Sequence, residues 1–167
     1  KALPYYQQAL QIRKEILGEK HPDYASSLNN LALLYVSIGS YQKALPYYQQ
    51  ALQIRKEILG EKHPDYATSL NNLALLYESM GSYQKALPYY QQALQIEKEI
   101  LGEKHPNYAS SLNNLAGLYE SMVLTIMGSG VRSLSSSTTS ACDVLKGTKL
   151  KVIFVTIPSV PCEPQMT

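Results

Sequence analysis

A block of 42 residues repeats along this chain: KALPYYQQALQI begins at Lys1, again at Lys43 and again at Lys85. A period of this length assigns one small structural unit to each copy, with stability coming from neighbours stacked in a row. The first two copies differ only at Ser26/Thr68, Val36/Glu78 and Ile38/Met80. The third departs from the second at Glu97, Asn107, Ser110 and Gly117, and the match stops after Met122.

Each period reads as two helices. In the middle copy the first opens at Pro64, whose missing N–H is unpaired in a first turn anyway. Asp65 places negative charge at the positive helix end. Tyr66, Leu70, Leu73, Ala74 and Tyr77 recur at three- and four-residue spacing, which predicts one buried stripe. Gly81 is the expected stop, since glycine tolerates left-handed backbone. The second helix is predicted from Tyr83 to Leu101, with Ala86, Leu87, Tyr90, Ala93, Leu94 and Ile96 apolar and Gly102 closing it. Pro88, like Pro4 and Pro46, lies about one turn inside and removes a backbone hydrogen bond, so a slight kink or loosened turn is expected there. Ala74, Ala86 and Ala93 permit close helix approach, with Tyr77, Tyr83 and Tyr90 filling the gaps between pairs.

The pattern SLNNLALLY, then Gly-Ser-Tyr, then KALPYYQQALQI, joined by ILGEKHPDYA, resembles tetratricopeptide repeats of the long, kinesin-light-chain type. The resemblance covers residues 1 to about 122. It implies an all-α solenoid of antiparallel helix hairpins over residues 1–126. Within that array residues 1–22 are a partial repeat, about 23–64 and 65–106 full repeats, and 107–126 a partial repeat.

Residues 127–167 form a different part. All 14 Tyr precede this stretch and the single Phe, Phe154, lies within it. Ser133 to Ser140 is low-complexity, and Leu150 to Ile157 reads as a short strand without a partner. This tail has the look of a frame change or unspliced sequence. The first lone helix before it is expected from about Asn107, overrunning to Met127 before Gly128 stops it.

Charge and chemistry narrow the function. Acidic and basic side chains balance up to Ile126, and the net +2 arises from the tail. A neutral array gives no electrostatic reason to expect nucleic acid or an anionic membrane, and RNA reading by helical repeats is disfavoured on the same ground. No apolar run is long enough to span a bilayer and no signal pattern is visible, which sets a cytoplasmic expectation for a chain that opens in mid-pattern at Lys1. Cys142 and Cys162 suggest no disulfide framework. His21, His63 and His105 fall at one loop position per repeat. They read as residues held extended before Pro rather than as metal ligands. Phosphate loops, metal-type clusters and nucleophile elbows are absent from the sequence, so no catalytic residue, cofactor or metal is expected.

The resemblance also implies a site, because tetratricopeptide arrays hold extended peptides on the inner face of their first helices. Carried over by position, the groove set is Ser26, Asn29, Leu33 and Val36, then Thr68, Asn71, Leu75 and Glu78, then Ser110, Asn113, Gly117 and Glu120. Asn29, Asn71 and Asn113 would form a ladder able to pair with a peptide backbone. A purely structural ladder, bonding between adjacent helices, is the competing reading. Leu33, Leu75 and Val36 favour a partly apolar ligand, while Glu78 and Glu120 disfavour a strongly acidic one at their end. The first helices carry no lysines to clamp a terminal carboxylate. The expected partner is therefore a protein or peptide. End-to-end self-association through exposed apolar ends is the alternative.

Overall fold

The computed structural model describes residues 1–130, all helical apart from short turns. Six helices follow in order: α1 (Leu3–Leu17), α2 (Pro22–Ser37), α3 (Tyr41–Leu59), α4 (Pro64–Ser79), α5 (Tyr83–Ile100) and α6 (Pro106–Gly130). The Ser-rich stretch and the strand expected at 150–157 lie outside the described residues.

Local chemistry sets the boundaries. At α2 and α4 a histidine occupies the N-cap in extended backbone, followed by Pro at the first helical position. Its Nδ1 accepts from the backbone N–H two residues on, at 3.1 Å for His21, His63 and His105 alike. The three histidines are thus caps, a role the sequence pattern did not reveal because Ser, Thr, Asp and Asn are the usual capping residues.

The helix exit is equally specified. Gly81 adopts φ 70°, its N–H bonds the Glu78 carbonyl at 2.8 Å, and the Ser82 N–H reaches back to the Tyr77 carbonyl at 2.8 Å. This is the paired-bond stop that left-handed glycine makes available. Gly39 and Ser40 repeat it after α2. The chain then turns within two residues, which forces the second helix to run back antiparallel beside the first.

Pro46 and Pro88 sit inside unbroken helices with their rings exposed. One end differs from expectation. Gly128 does not stop α6, whose backbone stays helical to Gly130. A single glycine in right-handed helix costs only about 1 kcal/mol relative to alanine, and it terminates a helix when it adopts positive φ.

The core lies between helices and continues from pair to pair. Leu31, Ala32, Tyr35, Ala44, Tyr48, Leu73, Ala74, Leu76, Tyr77, Ala86, Tyr90 and Leu118 form one buried cluster spanning α2 to α6. Two satellites close the far ends of the hairpins, Tyr24, Ala25, Leu28, Ala51 and Ile54 in one, Tyr66, Ala67, Leu70, Ala93 and Ile96 in the other. Stacked tyrosine pairs, Tyr35 on Tyr47 and Tyr77 on Tyr89, each 5.7 Å between ring centres, join α2 to α3 and α4 to α5.

Ala93 is fully buried against α4, so its small size, rather than its hydrophobicity, is what the position needs. Ala93→Leu should destabilise residues 1–130 by about 1–3 kcal/mol through overpacking, despite adding apolar surface. Urea unfolding followed by circular dichroism measures it. No loss of stability would mean that α4 and α5 are not in close contact.

Candidate functional site

The groove residues expected on α2, α4 and α6 divide into open and committed groups. Leu33 and Leu75 are open, 56% and 47% exposed at equivalent positions of successive repeats. Asn113, Ser110 and Glu120 on α6 and Thr68 on α4 are exposed as well. The Thr68 and Ser110 hydroxyls bond back to the Pro64 and Pro106 carbonyls at 3.1 and 3.0 Å. Val36 is half-buried and packs on the main core. Gly117 is half-buried and helical.

Glu78 is committed. It accepts from the Tyr90 phenol at 2.9 Å and from the Ser121 hydroxyl at 3.5 Å, linking α4 to α5 and α6. Burial first, and then this carboxylate, push the Tyr90 phenol far above its ordinary pKa. Asn71 is committed too. Its Nδ2 donates to the Ser111 hydroxyl at 2.7 Å and to Glu97 at 3.4 Å. At this rung of the expected ladder the amide therefore bonds between adjacent helices.

That contact exposes a feature sequence reasoning missed. At one position of the second helix, α3 and α5 each bury a charge against the neighbouring first helices. Arg55, only 7% exposed, donates through Nη1 to the Ser69 hydroxyl (2.8 Å) and the Asp65 carbonyl (3.2 Å), both on α4. Its Nη2 donates to the Ser26 hydroxyl on α2 at 3.2 Å. Arg13 makes the same two forward bonds, to Ser27 (2.7 Å) and the Asp23 carbonyl (3.1 Å). In the third repeat the position is Glu97, 3% exposed, facing Asn71 and, through it, Ser111. The junction thus exists in two polarities, a cation donating in one copy and an anion accepting in the next. The visible signal was the substitution of Arg by Glu between near-identical copies. Charged residues in helices are usually solvated, so nothing local marked this one as interior.

Both charges are incompletely satisfied. Arg55 Nε, Glu97 Oε2, Asn29 Oδ1 and Asn71 Oδ1 are buried without a hydrogen-bond partner among the described residues. Burial holds the Arg55 pKa below its usual value, partly offset by Asp65, although the guanidinium stays charged. Burial raises the Glu97 carboxyl, with Ser111 and His105 pulling the other way. By contrast Lys14–Glu19, Lys56–Glu61 and Lys98–Glu103 are exposed pairs at the hairpin ends, and pairs of that kind add little.

Beside Arg55 lies a pocket of about 260 Å³. Ser26, Asn29, Leu33, Tyr48, Arg55 and Asn72 line it, so it joins α2, α3 and α4. Three of the four groove residues expected on α2 therefore meet at one place.

The sequence model of the tetratricopeptide repeat matches residues 1–57, 37–98 and 65–122. The chain belongs to the tetratricopeptide-repeat family. Solved structures agree on the repeat type. BtubC (BKLC) from P. vanneervenii superposes with a TM-score of 0.66 at 23% identity, over 86% of this chain and 62% of that one. A putative kinesin light chain from Podosopora anserina with nearly identical TPR-like repeats superposes with a TM-score of 0.65 at 25% identity. That alignment takes in 82% of this chain and 68% of the other. No curated protein matches the chain in sequence. This tetratricopeptide array thus spans less than two thirds of the first of these structures. Repeats of its family serve as scaffolds for protein interaction, and among the described residues no helix is long and apolar enough to cross a membrane.

The Glu97 shift gives a signed prediction. Its folded carboxyl lies above the ordinary 4.5, so the folded state binds the proton more tightly than the unfolded chain. That contribution to stability is full below 4.5 and is lost as pH rises through the folded value. Relative to Glu97→Gln, the natural chain should therefore lose stability as pH rises above 4.5. Paired urea titrations at pH values below and above 4.5 test it. A relative gain would mean that charge pairing, not burial, governs Glu97.

Proposed function

We propose that this array is a non-catalytic adaptor that holds an extended segment of a partner protein along the inner face of α2, α4 and α6. The groove comprises Ser26, Asn29, Leu33 and Val36, then Thr68, Asn71, Leu75 and Glu78, then Ser110, Asn113, Gly117 and Glu120. The observation that carries this reading is the repeated pairing of an exposed leucine with amides on one face. Leu33 and Leu75 stand 56% and 47% exposed, with Leu33 beside the pocket that Asn29 and Asn72 help to line. Apolar side chains flanked by amides suit a peptide. The leucines bury alternate side chains and the amides serve the backbone without demanding one sequence. Asn29 and Asn113 are the amides best placed for this, since Asn71 is held by Ser111.

A pull-down from an end-blocked peptide library tests the groove. Replacing Leu33 and Leu75 together by Asp should weaken retained peptides by roughly tenfold or more, the loss expected from denying a leucine its burial. Equal recovery by the natural chain and the double variant would remove the groove from the reading.

A second reading, self-association of this chain, draws on different surfaces. No residue of α1 is buried, and Tyr5 and Ile16 are 73% and 74% exposed. Leu112 and Tyr119 on α6 are exposed where their α4 counterparts Leu70 and Tyr77 are covered by α5. A second copy's α1 could cover α6 as α5 covers α4. Sedimentation velocity across a concentration series should then show dimers and longer assemblies. A monomer throughout would discard this reading.

A further inference from the structure

The charged seam between the helices changes its chemistry along the row. Arg13 and Arg55 carry a guanidinium, which stays protonated in a folded protein. Glu97, at the same position of the third copy, can be charged or neutral, so this junction alone of the three is open to titration. It is also enclosed. Glu97 is 3% exposed, and Ser111 on α6 is 0% exposed. Three helices meet there, α4 bringing Asn71, α5 Glu97 and α6 Ser111. From α4 and α6 the carboxyl therefore faces an amide and a hydroxyl. Lys98, next to it on α5, is paired with Glu103. Among the described residues His105, at the entry of α6, is the one charged or titratable group that acts on it.

Two atoms of this cluster are left over. Asn71 Nδ2 donates to Ser111 Oγ at 2.7 Å and to Glu97 Oε1 at 3.4 Å. The other oxygen of each group, Glu97 Oε2 and Asn71 Oδ1, is buried without a partner. Both are acceptors while the carboxyl is ionised, so neither can serve the other. An unanswered acceptor out of water costs free energy, and a charged one costs more. One proton on Oε2 removes the difficulty. A carboxylic acid and a primary amide can pair through two bonds at once, amide N–H to one acid oxygen and acid O–H to the amide oxygen. The first of these is present, stretched to 3.4 Å, and the two orphaned oxygens are the atoms the second would join.

We propose that Glu97 is a proton-operated lock on α6. Protonated on Oε2, it closes a two-bond pair with Asn71 and keeps the junction of α4, α5 and α6 shut. Ionised, it draws in water and releases α6. Arg55 ties α3 to α2 and α4 through bonds that no proton alters, whereas the tie on the last helix is conditional. The sign follows from burial. With α6 released, Glu97 meets water and titrates as an ordinary carboxylate. With α6 docked its carboxyl lies higher, burial being the main cause and Ser111 and His105 opposing it. Docking is therefore strongest below 4.5 and weakens as pH rises through the docked value. A second polar tie of α6, from Ser121 to Glu78, lies about 15 Å further along the helix and is left in place. Ser110, Asn113 and Glu120 travel with α6, so the lock reaches the groove proposed above without depending on it.

Hydrogen exchange of the whole 167-residue chain tests this, read helix by helix as protection factors at pH values below and above 4.5. The control is Glu97→Gln, whose amide makes the same two bonds with no proton to lose. Below 4.5 the two chains should protect α6 equally. At higher pH the natural chain's α6 should fall about tenfold beneath the variant's, the scale of a buried polar group left unanswered, while α2, α3 and α4 keep their protection. A second measurement needs no variant. The Glu97 side-chain carboxyl resonance, followed by carbon-13 NMR, should titrate above 4.5 with the same midpoint as the loss of α6 protection. If Glu97→Gln does not fold, that coincidence in the natural chain decides alone. Equal α6 protection in both chains at every pH overturns the lock. So does a carboxyl midpoint at or below 4.5, or a loss shared equally by α2, α3 and α4.

Discussion

No helix of this protein can cover its own apolar stripe, and everything else follows from how that deficit is met. Alanines at 32, 44, 74, 86 and 93 let the two helices of a pair come close enough for tyrosine and leucine from the next pair to seal the gap. Each copy is stable only through its neighbours, so strength accumulates along the row in the manner of a one-dimensional array. The same arrangement turns one face of every first helix inward to the core and leaves the opposite face clear.

Upon that apolar frame sits a polar seam that the packing does not require. Arg55 and Glu97 occupy the same position of successive copies, and each is taken almost wholly out of water. Removing a charge from water is costly unless hydrogen bonds answer it. Serine hydroxyls on the first helices supply those bonds for Arg55, and an asparagine amide does so for Glu97. Two opposite charges tolerated by one surrounding indicate a junction built from groups that both donate and accept. Hydroxyl and amide groups have that property, whereas a carboxylate or an ammonium does not. The seam can therefore change sign between copies without rebuilding the fold.

Legibility in the sequence followed the range of the forces involved. The stripe Tyr66, Leu70, Leu73, Ala74 and Tyr77 was visible from spacing, and all five are buried. Pro64 and Gly81 marked their helix ends correctly because each acts within one turn. Leu76 and Ala67 are buried outside the stripe, covered by neighbouring helices whose position spacing alone does not give. Gly128 misled for the converse reason. A glycine stops a helix by adopting positive φ, a choice made by its surroundings. Among the residues expected in the groove, Leu33 and Leu75 are exposed, whereas Asn71 and Glu78 are tied to α5 and α6. An amide or a carboxylate on a helix face looks the same in sequence whether solvent or another helix meets it.

What the amino-acid order determined by itself was the period, the helix pairs, their turns and the family, since repeat spacing, capping and apolar stripes are local and are copied with the block. Only the tertiary structure decided which charges go inside, because that depends on a third helix arriving from the next copy, at a distance no sequence window spans. The histidine caps fall between these cases: the contact is local, but the choice of ring nitrogen over a hydroxyl is a matter of side-chain rotation that only coordinates reveal.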